Sequence, residues 1–303
     1  MANICFMGLI ENFARYLSNE RNYSDRTVGS YTSDLVQFSD FIKGIDAGIS
    51  LETADRDLVR DWMVSLMDTG SGPASVNRKL STLRTFYKYL ILTGVVDKSP
   101  AALVKGPKKA KPLPHFVRES DMDNILDLHD FGEGYVAVRD RAVMAVFYEA
   151  GLRLAELVSL DVPDVDMASR QIKVTGKRNK QRIIPFGPDL ESILTGYLES
   201  RLEFAGTPDG PFFLGTRGGR IPRHQVYLMV RKVLSQESDV GKKSPHVLRH
   251  TFATSMLNND AGLESVRELL GHDSVSTTEI YTHTTFKELQ DIYKKAHPRS
   301  DKS

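Results

Sequence analysis

The chain has 303 residues, 41% of them hydrophobic and 26% charged, enough to bury an ordinary core but longer than one core usually organises, so two domains are expected. Cys5 is the only cysteine, which excludes an intrachain disulfide and a cysteine-based zinc cluster and fits a reducing, cytoplasmic setting. The apolar opening from Met1 to Ile10 is interrupted at Glu11 and Arg15, too soon for a signal segment or a membrane span.

The first hundred residues read as four amphipathic helices separated by Gly, Ser or Pro. The first presents Ile4, Met7, Ile10, Phe13 and Leu17, and the second, starting near Ser24, presents Tyr31, Leu35, Phe38 and Ile42. Leu58, Trp62 and Leu66 mark the third. The fourth opens at Gly72-Pro73 with Val76, Leu80, Leu83, Tyr87 and Leu90 on its apolar stripe. Arg78, Lys79, Arg84 and Lys88 lie off that stripe and predict a basic face. From Lys98 the character changes to prolines and lysines with little apolar periodicity, which predicts a helical domain over 1–103 and a basic linker over 104–114.

The domain expected over 115–303 is mixed. Helical spacing covers Asp121 to Leu128 and Arg139 to Ala150, Gly151 breaks the second, and another helical stretch runs to Leu160. The period then changes to two: Ile172 and Val174, a turn over Gly176 to Gln181, and Ile183-Ile184-Pro185 predict a β-hairpin with Lys177 near its turn. Ser244-Pro245 reads as a helix start with Ser244 as cap, placing His246, Arg249 and His250 on one face. Cations beside the positive end of a helix are unfavourable unless an anion joins them. The spacing of His246 and His250 is that of a zinc-binding pair, but Val247 stands where a metalloprotease helix needs its glutamate and no third ligand is evident, so a metal is not expected. Gly271 ends a further helix with His272 just beyond it, and Ser276 to Tyr281 has capping-box spacing, which puts Tyr281 in the first turns of the next helix.

The net charge of +1 hides a segregated distribution. Lys98 to Lys111, Arg170 to Arg182 and Arg217 to Lys232 are basic runs without an acid, while acids gather in Glu119 to Glu133 and Glu156 to Asp166. One polyanion-facing surface and one solvated or partner-facing surface are expected. Any one of these features has an ordinary explanation; Arg153, for instance, could simply pair with Glu149 or Glu156 on a helix surface.

Taken in order, Gly-Leu-Arg153 with Glu156, Gly176-Lys177, His246-Val-Leu-Arg249-His, Leu-Gly-His272 and Ser-Thr-Thr-Glu-Ile-Tyr281-Thr-His resemble the motifs of the tyrosine recombinases, or λ-type integrases, and most closely their Xer branch. His297-Pro298-Arg299 is similar to the Xer tail, and Ser75 to Leu90 to the family's DNA-gripping helix, so the resemblance covers nearly the whole chain. It implies a two-domain clamp on double-stranded DNA, with a four-helix SAM-like first domain and a mainly α catalytic domain carrying a small β-sheet. It implies that Tyr281 attacks a phosphodiester and forms a 3′-phosphotyrosine, that Arg153 and Arg249 grip the phosphate, that Lys177 is the general acid, and that His246 and His272 assist proton transfer, with no metal and no cofactor. Arg78, Lys79, Arg84, Lys108, Lys109, Lys111, Arg178, Lys180, Arg220 and Arg223 are the candidate DNA contacts. A tetramer on DNA is expected, with a paralogous recombinase as a candidate partner and a DNA translocase as a candidate activator. The tail helix with Phe286, Leu289, Ile292 and Tyr293 is too short to stand alone and is expected to dock on a neighbouring subunit. A mobile-element integrase and a DNA-binding protein without catalysis are the alternative readings.

Overall fold

The computed structural model describes residues 2–108, 115–176, 180–271 and 286–300. The chain divides into two compact units, Met1–Pro112 and Leu113–Ser303, each with a separate hydrophobic core. Among the described residues no helix is long and apolar enough to cross a membrane.

The first unit holds helices α1 (Ala2–Asn19), α2 (Asp25–Ile45), α3 (Arg56–Asp68) and α4 (Pro73–Leu92). Local chemistry sets the starts. The Ser24 hydroxyl accepts from the Thr27 N–H, Asp55 accepts from Leu58 at 2.9 Å, and Pro73 occupies the first turn of α4. Phe13, Leu17, Leu35, Phe38, Ile42, Trp62, Leu80, Leu83 and Tyr87 form the core as the spacing predicts, and Phe86 joins them.

The basic face of α4 is narrower than its sequence implies. Asp34, buried on α2, accepts two hydrogen bonds from Arg78, one from Lys79 at 2.9 Å and one from Thr82 at 2.8 Å. Burial opposes the charge on Asp34, but these donors outweigh it and hold its pKa below the usual carboxylate value. Lys79 is correspondingly buried, bonded also to Gln37 and lying over the Trp62 ring. The chain after α4 returns to it. Ala101 and Val104 join the core, Arg84 donates to both their carbonyls, and Asn77 reaches the Pro107 carbonyl at 2.9 Å. The stretch expected to be linker from 104 therefore begins as a strap on α4.

In the second unit, α5 (Glu119–Asp127), α6 (Gly134–Ala150) and α7 (Leu154–Ser159) precede a three-stranded antiparallel sheet. The strands are β1 (Val165–Asp166), β2 (Gln171–Thr175) and β3 (Gln181–Pro185), followed by α8 (Pro188–Ala205), α9 (Arg223–Glu237), α10 (Pro245–Asn258), α11 (Leu263–Leu270) and α12 (Phe286–Ala296). Helix α6 is buried from Ala142 to Ala150 and packs against α8 and α10. It stops at Gly151, whose φ of 59° is left-handed and whose missing side chain leaves room for the Phe252 ring; a Cβ there would lie 2.5 Å from it. In the hairpin Ile172 faces Ile184 and Val174 faces Arg182, and the Gly176 N–H closes on the Lys180 carbonyl at 2.8 Å.

The tail departs from expectation, because α12 docks on its own domain. Leu289, Tyr293 and Ala296 enter the core beside α10, α11 and β3. Beyond the helix, Arg299 is buried among Asp123, Asp127 and Asp189. His297 is also buried; it accepts from the Arg299 N–H through Nδ1 and donates from Nε2 to the Tyr148 carbonyl, which fixes the neutral tautomer. Burial holds its pKa down to about 3. An apolar stripe and three carboxylates on the same chain meet the requirements that a neighbouring subunit was expected to meet.

Glu149 lies under this tail, fully buried, with neither carboxylate oxygen hydrogen-bonded and the Tyr293 hydroxyl outside bonding geometry. Burial first, and the charge of Asp189 second, raise its pKa well above the usual value. The folded chain therefore retains a proton that the unfolded chain releases near pH 4.5, and Glu149 costs stability increasingly as pH rises from there. For His297 the sign is reversed: its stabilisation is complete above about pH 6.5 and declines as pH falls toward the folded value. Thermal melts should show Glu149→Gln more stable than the parent chain, with a lead that grows from about pH 5 to about pH 8; a lead independent of pH would contradict this account of Glu149.

Candidate active site

Arg153 leaves α6 past the Gly151 break and occupies the N-cap of α7. Its backbone N–H donates to Glu156 Oε2 at 2.8 Å and its guanidinium to Glu156 Oε1 at 2.7 Å. An arginine has no acceptor to return the favour to the helix, so Glu156 supplies the capping contact here. Glu149, the other partner available to Arg153 by spacing, takes no part.

Glu156 is only 4% exposed. Besides Arg153 it accepts a two-pronged pair of bonds from Arg182 on β3, at 2.8 and 2.9 Å, and lies 4.0 Å from Arg249 on α10. Burial works against its charge, but bonds and field from Arg182 and Arg153 overcome that and hold its pKa at about 2. The same three arginines meet a second set of acceptors. The carbonyls of Leu269, Leu270 and Gly271, at the end of α11, accept from Arg182, Arg249 and Arg153 respectively. Terminal carbonyls have no partner within their own helix and carry the negative end of its dipole, which explains why cations collect there. Arg249 also donates to the Gly151 carbonyl at 2.7 Å.

The charges are deliberately unbalanced. Three guanidinium groups share one carboxylate, and burial with repulsion from Arg153 and Arg182 pulls the Arg249 pKa down to about 10. Arg153 and Arg249 retain N–H groups beyond those bonds, so a doubly charged oxyanion would complete the site. His246, one turn before Arg249, is exposed; partial burial and then His250, Lys242, Arg249 and Arg153 lower its pKa and favour the neutral imidazole. Ser244 holds the N-cap position, yet its buried hydroxyl makes no capping bond. Arg249 turns inward, while His246 and His250 face solvent rather than sharing its surroundings.

Arg153 and Arg249 are thus gathered around the end of α11, with His246 exposed one turn before Arg249. Lys177, His272 and Tyr281 lie outside the described residues, as do Lys109, Lys111 and Arg178. Among the expected DNA contacts, Lys108, Lys180 and Arg223 are exposed. Arg78 is exposed but paired with Asp34, and Arg220 is paired with Asp161 and the carbonyls of Val158 and Leu160. Lys79 is a correction, since its ammonium is buried on Asp34 and unavailable to a phosphate; Arg84 reaches the strap carbonyls. Sequence reasoning treated Glu156 as a surface partner and counted Arg182 only within a basic run. Strand alternation held the missing signal, because Arg182 shares the inner face with Ile184 and faces Val174.

Three arginines around one carboxylate make an electropositive site suited to a phosphate, in an α+β domain that follows a four-helix unit in the chain. Residues 115–288 match the phage integrase family, and residues 10–94 match the phage integrase N-terminal SAM-like domain. The chain is 37% identical to tyrosine recombinase XerC of Chlorobaculum tepidum, covering 99% of this chain and 96% of the relative, and 37% identical to tyrosine recombinase XerC of Pediococcus pentosaceus, covering 97% and 99%. The solved structure of XerH site-specific recombinase bound to palindromic difH substrate has the same fold, with a TM-score of 0.70 at 20% identity over 95% of this chain and 81% of that one. This chain belongs to the phage integrase family, the tyrosine recombinases.

The pKa of Glu156 carries a stability consequence. A carboxylate whose folded pKa is depressed from 4.5 to about 2 stabilises above the upper value and loses that contribution as pH falls through the lower one, in total on the order of 3 kcal/mol. Denaturant unfolding should show the lead of the parent chain over Glu156→Gln shrinking progressively from about pH 5 down to about pH 2. A lead that persists undiminished at the acid end would contradict it.

Proposed function

We propose that this chain is an Xer-type site-specific recombinase that transfers DNA strands through Tyr281. The tyrosine oxygen forms a bond to the scissile phosphorus, the bond from phosphorus to the 5′ oxygen breaks, and a 3′-phosphotyrosine results. The 5′ hydroxyl of another strand then attacks phosphorus and releases the tyrosine. One phosphate ester is exchanged for another at each step, so no ATP is consumed.

What supports this reading most is the convergence of Arg153 and Arg249 on one buried carboxylate and one helix end. Phosphoryl transfer builds charge on nonbridging oxygens, and guanidinium forks match those oxygens two at a time. We assign the phosphate clamp to these two arginines, protonation of the leaving 5′ oxygen to Lys177, and proton handling to His246 and His272. A free tyrosine hydroxyl, with a pKa of about 10, needs such neighbours to react at neutral pH. The clamp supplies the charge that a divalent metal provides elsewhere, and the cycle as proposed requires neither metal nor cofactor.

Exposed Arg78, Lys108, Lys180, Arg220 and Arg223, with Lys109, Lys111 and Arg178, are assigned to phosphates of duplex DNA, which makes affinity fall steeply with salt. Exchange between two duplexes needs four cleavages, so we assign a tetramer on DNA, made of four copies or completed by a paralogous recombinase, with the tail passing between subunits on assembly. Resolution of joined chromosomes in the cytoplasm, switched on by a DNA translocase, is the housekeeping role we favour over integration of a mobile element, on the strength of the near full-length similarity to XerC proteins.

A nicked DNA substrate that loses its 5′ end after cleavage traps the intermediate. The parent chain should accumulate a protein–DNA adduct, Tyr281→Phe should form none, and Arg153→Gln or Arg249→Gln should form it about 100-fold more slowly. Adduct in Tyr281→Phe equal to that of the parent would overturn the assignment.

A further inference from the structure

Arg182 has no role in the strand-transfer chemistry assigned above, yet its side chain makes three hydrogen bonds within the site against two from the side chain of either clamp arginine. Its two terminal nitrogens bind both oxygens of Glu156, and its Nε donates to the Leu269 carbonyl at 2.7 Å. All three of its guanidinium nitrogens donate to Glu156 or Leu269, so the fork that would grip a ligand is engaged inside the protein. Gly271 makes its position possible. That residue has φ of 63°, and a Cβ on it would lie 3.1 Å from Arg182 Cδ and Nη1, so the guanidinium passes directly beneath the turn that precedes His272.

Three elements with no covalent proximity meet on this side chain. Strand β3 carries it on the return arm of the β2–β3 hairpin, α7 begins with the Arg153 and Glu156 pair, and α11 ends in the carbonyls that also bind Arg249 and Arg153. Resting on the clamp assignment for Arg153 and Arg249, we propose that Arg182 is the positioning residue of the cleavage step. It fixes Glu156 and the end of α11 so that the two clamp arginines present their remaining N–H groups to the scissile phosphate. A lysine cannot replace it, because a single ammonium cannot span two carboxylate oxygens and a carbonyl at once. It acts through Arg153 and Arg249 and never touches the substrate.

The test is single-turnover cleavage of the nicked substrate at saturating full-length protein, with DNA affinity and melting temperature measured alongside. Arg182→Gln should cleave about 100-fold more slowly, the scale of loss from misplacing a catalytic group by about 1 Å, while DNA affinity stays within about threefold. Arg182→Lys should restore the melting temperature but not the rate, and it supplies the comparison if the glutamine variant folds poorly. A second substrate with a neutral methylphosphonate at the cleavage point removes the charge that the clamp serves, so the deficit of either variant against the parent should shrink to less than about tenfold there. A purely structural role would slow both substrates equally, and that result, or a rate within twofold of the parent on the ordinary linkage, overturns the proposal. Loss in Arg153→Gln without loss in Arg182→Gln refutes this inference alone; no loss in either refutes the clamp assignment beneath it.

Discussion

A single buried carboxylate carries the catalytic half of this molecule. Glu156 would be expensive to bury alone, and three guanidinium groups placed beside one another would repel; each problem is solved by the other. The carboxylate holds Arg153 and Arg182 directly and lies at the edge of Arg249. What it leaves uncompensated is positive charge with unspent donors, which is the property a phosphoryl-transfer site needs. The end of α11 performs the same service from the opposite side with three successive carbonyls, so an element with no catalytic side chain among its described residues becomes the template on which the clamp is built.

Asp34 solves a similar problem in the first unit, with Arg78, Lys79 and Thr82 around it. There the acid consumes charge instead of organising a surplus. Lys79 is withdrawn from the surface, and the basic face is left to Arg78 and residues further along the chain. Arg299 reverses the arrangement again, one cation among three carboxylates, and anchors the tail to its own domain. Beside it, Glu149 and His297 are both buried in their neutral forms, so docking of the tail is opposed by base through the first and by acid through the second.

Much of this was legible in one dimension. Helix starts at Ser24, Pro73 and Pro245, the break at Gly151 and the pairing of β2 with β3 all follow from local rules, because capping, proline and glycine act within a few residues. Arg153, His246 and Arg249 stood out through the resemblance of their motifs, taken in order, to the tyrosine recombinases, since local rules alone left Arg153 an ordinary surface partner. Long-range pairing was hidden. Asp34 meets its cations more than forty residues away, Arg182 meets Glu156 across 26, and Arg299 meets Asp123 across 176. A charged residue's fate depends on partners that only the fold supplies, which is why Lys79 read as a surface cation and Glu156 as a surface acid. Docking of the tail within its own chain was hidden for the same reason, since nothing local reveals that its stripe and its arginine have a socket there.

Glu156 is the organiser of the clamp, and the rate of covalent adduct formation by Glu156→Gln tests that role most directly. Glutamine keeps the shape but turns an amide donor toward guanidinium donors and removes the charge that gathers them. At saturating protein on the nicked substrate, the account predicts adduct formation slowed about 100-fold or more, with DNA binding nearly unchanged. Adduct formation within about twofold of the parent rate would show that Arg153 and Arg249 hold their places without it, and would contradict the account.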